Sequence, residues 1–433
     1  MTRPQAIDGE RLRRISKEGA WVALGQVAAV LGALVGVRLL TELLDPTGYG
    51  QLALAMTLAI LLHQTVYGPL SNGMTRFWST ARESQAISDY LIAVRGLLVT
   101  ATLLVGLLAL AAAVSLVLLG QEVWALLAVL AALFAVLRGF NTSLGGMQNA
   151  ERQRIVVALH QGAEAWLRFL IAAAIIVSTQ AVSTAALAGY VLALLLVLIS
   201  QVVVFVRRVR TITDIQTRSR DWRGDIWQFS WPFAAFGLFT WAQVASARWA
   251  LERFADTGDV GYYAVLFQLG VYPMLILTAM VIQFLAPVFY QRAGDAHDAA
   301  RIDGVLILGT RLTAITVVLT VIATVAALLL HELIFRVLVA VEYRSVSHLL
   351  PWLVFAGGLS AAGQTIELRI MSMLASRSLI TAKVATAIAG VILNFVGAWK
   401  YGTPGVVVAN VLFAIPYFIW MSVLAKRASR GKG

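Results

Sequence analysis

Apolar residues in this chain come in long blocks, broken only by short charged or turn-forming stretches. Blocks of that length predict helices that cross a bilayer, each needing about 20 apolar residues. Twelve are predicted: roughly 19–44, 48–73, 89–119, 122–143, 155–178 and 183–206, then 226–250, 260–289, 303–330, 347–373, 379–399 and 404–424. The eighth is interrupted by Pro273 and Pro287, and the tenth holds Gly357, Gly358, Gly363 and Gln364. The expected fold is an all-α polytopic membrane protein.

The stretch GVRLLTELLDPTGYGQLALA, from Gly36, joins the first two blocks through Asp45, Pro46, Thr47 and Gly48. Pro after Asp favours a turn and Gly frees the backbone, so a tight antiparallel helical hairpin is expected. The parts recur in the same order in RWALERFADTGDVGYYAVLF, from Arg248, with Gly50 and Gly261 spaced 211 residues apart. An internal duplication is therefore expected. Its organisation is a six-helix bundle over 1–206, a connection over 207–225 and a second six-helix bundle over 226–433. Bundles entering from one side are related by a pseudo-twofold along the membrane normal.

Loop charge sets the orientation. With an internal N-terminus, the cytoplasmic segments carry the leader from Arg3 to Lys17, then Arg76, Arg82, Arg152 and Arg154. They also carry Arg207, Arg208, Arg210, Arg218, Arg220 and Arg223, then Arg292, Arg301 and Arg377, and finally Lys426, Arg427, Arg430 and Lys432. The opposite loops hold only Arg253, Arg336, Arg344 and Lys400 among the basic residues. This is the positive-inside pattern, with both termini cytoplasmic. The run from Gly19 to Leu44 is too long for a signal h-region, so it is expected to remain as the first helix.

Composition agrees. The chain is 60% hydrophobic and 13% charged, with mean hydropathy +0.81. Soluble domains carry about 25% charged residues. The net charge of +12 is read as loop anchors facing anionic membrane lipids, with no nucleic acid as partner. Having no cysteine, the chain makes no disulfide or thiolate site.

Ionisable residues at bilayer depth are functional candidates. Arg95, Arg138, Arg369 and Lys383 lie near predicted cytoplasmic ends and are read as reaching for headgroups. Arg76 closes the second helix in NGMTRFW. Glu164 and Arg168 of the fifth helix are spaced i, i+4, and His160 precedes Glu164 by one turn. Two readings stay open for this face: a self-neutralised ion pair between helices, or a cavity wall. In the second, Arg168 attracts an anion while Glu164 or His160 couples transport to an ion. Arg38 and Arg248 fall at near-equivalent repeat positions, and Arg311 sits about two turns inside the ninth helix. The candidate substrate-binding residues are thus Arg38, Arg168, Arg248 and Arg311. For Arg38 and Arg248, interfacial anchoring is the alternative. His63, Gln64, Gln243, Gln268, Gln283 and Asn394 are read as interhelical hydrogen-bonding groups. Intramembrane charge is mostly cationic, which suits an anionic substrate. No GxxxxGK[ST] or HExxH motif is present, so no nucleotide hydrolysis, metal site or cofactor is expected.

The segment GAWVALGQVAAVLGALVGVRLLTELLDPTGYGQLALA, followed by NGMTRFW, resembles the N-terminal region of Wzx-type polysaccharide flippases. These belong to the multidrug/oligosaccharidyl-lipid/polysaccharide exporter superfamily, which also holds MATE transporters and lipid II flippases. The local pattern is Leu-x-Pro-x-x-Tyr-Gly, here Leu44, Pro46, Tyr49 and Gly50. The resemblance implies a non-enzymatic flippase of the bacterial inner membrane. It would move undecaprenyl-pyrophosphate-linked oligosaccharide, destined for O-antigen of lipopolysaccharide or exopolysaccharide, to the periplasmic leaflet by alternating access through a cationic central cleft. Polymerase or ligase machinery would be its partner. Two alternatives stay open: a MATE-like exporter of small compounds, and a membrane glycan polymerase or ligase.

Overall fold

The computed structural model describes residues 9–210, 220–293, 299–373 and 377–430. The expectations placed on Arg3, Arg218 and Lys432 fall outside these residues, as do those on the side chains of Arg11, Arg13, Arg14, Lys17, Arg301, Arg377 and Arg430. Everything regular among the described residues is helical. In chain order these are α1 (Gly9–Leu43), α2 (Pro46–Leu62), α3 (Gly68–Glu83), α4 (Ile87–Leu118), α5 (Glu122–Ala150), α6 (Arg154–Ser178) and α7 (Ser183–Val209). Then follow α8 (Trp222–Phe254), α9 (Thr257–Ala293), α10 (Ala299–Leu338), α11 (Leu350–Ser372) and α12 (Arg377–Arg430). A π-helical turn, His63–Tyr67, joins α2 to α3, and a 3-10 segment, Val341–Leu349, precedes α11.

Among the described residues, nine segments are long and apolar enough to cross a membrane. Apolar side chains cover their outer faces. On α4, Leu103, Leu104, Leu107 and Leu108 are exposed, and on α10, Ile315, Val318, Leu319 and Ile322. The span containing α11 is the reverse, 78% buried. Its glycines explain this: a Cβ on Gly357 would press on Val271, one on Gly358 on Thr320 and one on Gly363 on Tyr417. What interrupts the apolar run in sequence lets neighbouring helices close on it in space. In α12, Gly402 has φ 57° and ψ −137°. Gly397 and Gly405 lie backbone to backbone, so the chain folds back there into two limbs.

The chain forms two compact units. One holds Met1–Gly36 and Ala55–Leu238, the other Val37–Leu54 and Phe239–Gly433. This differs from the 206/226 division expected from sequence: the first hairpin, 37–54, packs with the second half, and the start of α8 with the first.

Packing within each unit gives the reasons. In the first unit Trp78, Tyr90 and Trp222 meet edge to face, 5.8 and 5.7 Å apart. The Tyr90 hydroxyl donates to the Met74 carbonyl at 2.6 Å. Trp78 Nε1 donates to Glu151 at 2.9 Å, and Arg82 pairs with the same carboxylate at 3.2 Å. In the second unit the repeated turns interlock. Asp45 Oδ1 accepts from the Gly48 amide at 2.8 Å, and Asp256 Oδ1 from the Asp259 amide at 2.8 Å. A Cβ on Gly50 would strike the Thr257 carbonyl, and one on Gly261 the Pro46 carbonyl. Only glycine permits this reciprocal approach, and both glycines sit at matching repeat positions.

Candidate functional site

In the first unit, candidate polar groups collect where α2 gives way to α3. Pro69 cannot donate an amide to the carbonyl four residues back, so the helical register slips. The Gly68 amide bonds the His63 carbonyl instead, forming the π turn. Such turns are frequent at functional sites. His63 and Gln64 lie on it, and His63 Nδ1 and Gln64 Oε1 are buried with no hydrogen-bond partner. Arg138 of α5 lies within electrostatic reach of His63 and binds Glu164 of α6 at 2.7 Å.

That pair corrects two sequence expectations. Glu164 does not take Arg168 as its partner; its carboxylate turns to the neighbouring helix. And Arg138 does not sit near a helix end: α5 runs on to Ala150, leaving Arg138 about 18 Å from it at 1.5 Å per residue. Arg168 stacks on Phe169 at 4.7 Å and on Tyr190 of α7 at 5.2 Å, measured to ring centroids. Its Nε is buried without a hydrogen-bond partner. His160 contacts the Val156 carbonyl at 2.8 Å and Ser200 of α7 at 3.2 Å. The polar stripe of α6 is thus shared between two neighbours, Glu164 toward α5, His160 and Arg168 toward α7.

In the second unit the repeated Arg-x-x-x-Glu spacing resolves in two ways. Arg38 pairs with Glu42 and donates to the Val339 carbonyl at 2.6 Å. Around it, Tyr343 donates to the Leu44 carbonyl at 2.8 Å, and Thr41 accepts from the Ala340 amide at 3.2 Å. Arg38 is therefore built into the packing of the first hairpin. In the other copy, Glu252 accepts from the Thr257 hydroxyl at 3.1 Å. Arg248 stacks on Phe267 at 5.2 Å. Its Nε is buried and unpartnered, as is Glu252 Oε2. Among the described residues Arg248 has no ion pair. Arg311 of α10 is exposed. Its neighbour Thr310 accepts from Arg369 at 3.1 Å.

The sequence reading missed Glu367. It is 8% exposed, accepts from the Tyr417 hydroxyl at 2.9 Å and pairs with Lys383 at 2.9 Å. Lys383 thus has a buried partner where headgroup anchoring was expected. Asn394 donates to Ser246 at 2.9 Å, an interhelical bond of the kind expected.

The family pattern described as "Polysaccharide biosynthesis protein" matches residues 15–292. The chain belongs to that family. No curated protein sequence matches it. Solved structures resemble this polysaccharide-biosynthesis chain in fold. The lipid II flippase MurJ, in an inward closed conformation, superposes with TM-score 0.72 at 11% identity, covering 96% of this chain and 90% of that one. An inward-facing multidrug resistance MATE transporter of the MOP superfamily gives 0.61 at 14%, covering 94% and 95%. A MOP superfamily transporter from Pyrococcus furiosus, described by a binding pocket of reverse polarity, gives 0.52 at 14%, covering 96% and 95%. The chain is a multi-pass membrane protein, and the structures it resembles in fold include a lipid II flippase and transporters of the MOP superfamily.

Proposed function

We propose that this member of the polysaccharide biosynthesis family flips undecaprenyl-pyrophosphate-linked oligosaccharide from the cytoplasmic to the periplasmic leaflet of the bacterial inner membrane by alternating access. The observation that carries the reading is the state of two arginines. Arg168 and Arg248 each stack on an aromatic ring, each has a buried Nε with no partner, and among the described residues neither pairs with a carboxylate. A planar guanidinium so held is preorganised for phosphate oxygens. Arg38 is committed to Glu42 and Val339, which leaves Arg168 in the first unit and Arg248 in the second as separate phosphate-holding candidates, with Arg311 as an exposed accessory cation. In this reading the chain crosses the membrane twelve times: the nine apolar segments are joined by α1 and α8, and the two limbs of α12 count separately. Glu164 or His160 supplies ion coupling, and polymerase or ligase machinery receives the product.

The test follows the lipid-linked glycan in a deletion strain with an impermeant label on spheroplasts. The expected result is repeat units trapped inside, released by the wild-type chain and by neither Arg168→Ala nor Arg248→Ala at normal protein level. Normal release by both variants removes the site assignment. Units that reach the outer face unpolymerised in the deletion strain remove the flippase reading and leave a polymerase or ligase.

A second reading, export of a small cation as in MATE transporters, draws on one observation: Glu252 Oε2 is buried and unpaired. Changed drug sensitivity on deletion, with intact polysaccharide, would favour it.

A further inference from the structure

The fold-back of α12 leaves a groove of about 310 Å3 between its two limbs. Gly397 and Gly405 form the point where the limbs touch. Leu393, Val396, Val408 and Leu412 make the apolar walls, and Lys400 is the one charged residue lining it. Trp399 and Tyr401, on either side of Lys400, are 65% and 73% exposed. Aromatic residues placed this way settle at the headgroup level of a bilayer. Among the described residues, no carboxylate pairs with Lys400. Asp259, which lies beside the Gly402 turn, is taken by the Thr403 hydroxyl.

We propose that this groove binds an anionic phospholipid, with one acyl chain between the limbs and the phosphate on Lys400. A hydrocarbon chain is the ligand that apolar walls solvate. The groove ends at an unpaired ammonium held at headgroup depth, so a chain lying in it brings its phosphate to Lys400. Lys400, a cation with no carboxylate paired to it among the described residues, matches a net negative headgroup, and no acidic residue lines the groove to receive the positive end of a zwitterionic one. None of the arginines assigned to the translocated substrate lines this groove, so the proposal stands or falls independently of them.

The full chain is reconstituted in nanodiscs containing a photoactivatable acyl-chain probe, on phosphatidylglycerol or on phosphatidylcholine, and labelled peptides are mapped. The expected result is labelling of the 393–412 hairpin that is stronger with phosphatidylglycerol. Lys400→Gln is expected to lower it about five-fold, the weight of one cation near an anionic surface. Val408→Trp, at an exposed wall position, fills the groove and lowers labelling while leaving Lys400 in place. Equal labelling by the two lipids, or labelling that survives both substitutions, overturns the proposal.

Discussion

Arg138 and Glu164 show what side-chain spacing can and cannot say. The i, i+4 spacing put Glu164 beside Arg168, yet the 2.7 Å partner of Glu164 is on another helix. Both members are partly exposed, so the pair falls between an open surface bridge, worth under about 1 kcal/mol, and a buried one whose rupture costs about 3–5. Arg138→Ala alone is expected to destabilise by roughly 1–3 kcal/mol, because it leaves Glu164 unpaired in an apolar setting. Adding Glu164→Ala is expected to restore much of the loss. Thermal unfolding of the detergent-solubilised protein reads this cycle, and additive losses would show that the two charges do not interact. Arg168→Lys offers a second check at the same scale. It keeps the charge but loses the planar stack on Phe169 and Tyr190, so glycan release is expected to fall without loss of protein level.

Helices carry the next layer of constraint. Gly50 and Gly261 allow the two repeated turns to cross with their backbones in contact. Either one changed to alanine meets a carbonyl rather than a movable side chain, so overpacking of about 1–3 kcal/mol is expected for each. Membrane protein level and thermal stability should both drop, and similar drops would reflect the reciprocal geometry. The π turn makes a different prediction. Pro69→Ala restores an amide and lets the ordinary helical register form across His63–Tyr67. Protein level is then expected to hold while glycan release falls roughly ten-fold, as His63 turns away from Arg138. Unchanged release would make the turn a packing feature alone.

Apolar block length made the helical membrane class legible, and the recurring turn motif picked out Gly50 and Gly261, which pack backbone to backbone. The polar site was legible only in part, since spacing along one helix does not say which neighbour a side chain meets. Glu367 was overlooked because its partners, Lys383 and Tyr417, are distant in sequence. The bond from Arg138 to Glu164 was not legible because it joins two helices, and the helix end was placed short because α5 continues to Ala150, beyond its apolar run. The same gap between apolar length and helix length bears on the span count. Among the described residues nine segments qualify by length and composition, while α8, 33 residues long, does not: its uncharged middle is diluted by Gln228, Ser230, Trp231, Pro232, Trp241 and Gln243. Whether α8 crosses decides the side of everything after it. The cysteine-free chain permits a direct test with single cysteines and an impermeant maleimide on intact cells. Twelve crossings with an internal N-terminus expose Gln121→Cys, Ser345→Cys and Tyr401→Cys, and hide Ser84→Cys and Asn149→Cys until the membrane is opened. If α8 lies outside the bilayer, Gln121→Cys still labels from outside, but Ser345→Cys and Tyr401→Cys label only after permeabilisation. That pattern would also place Arg248 away from the membrane interior and remove it from the phosphate-holding candidates.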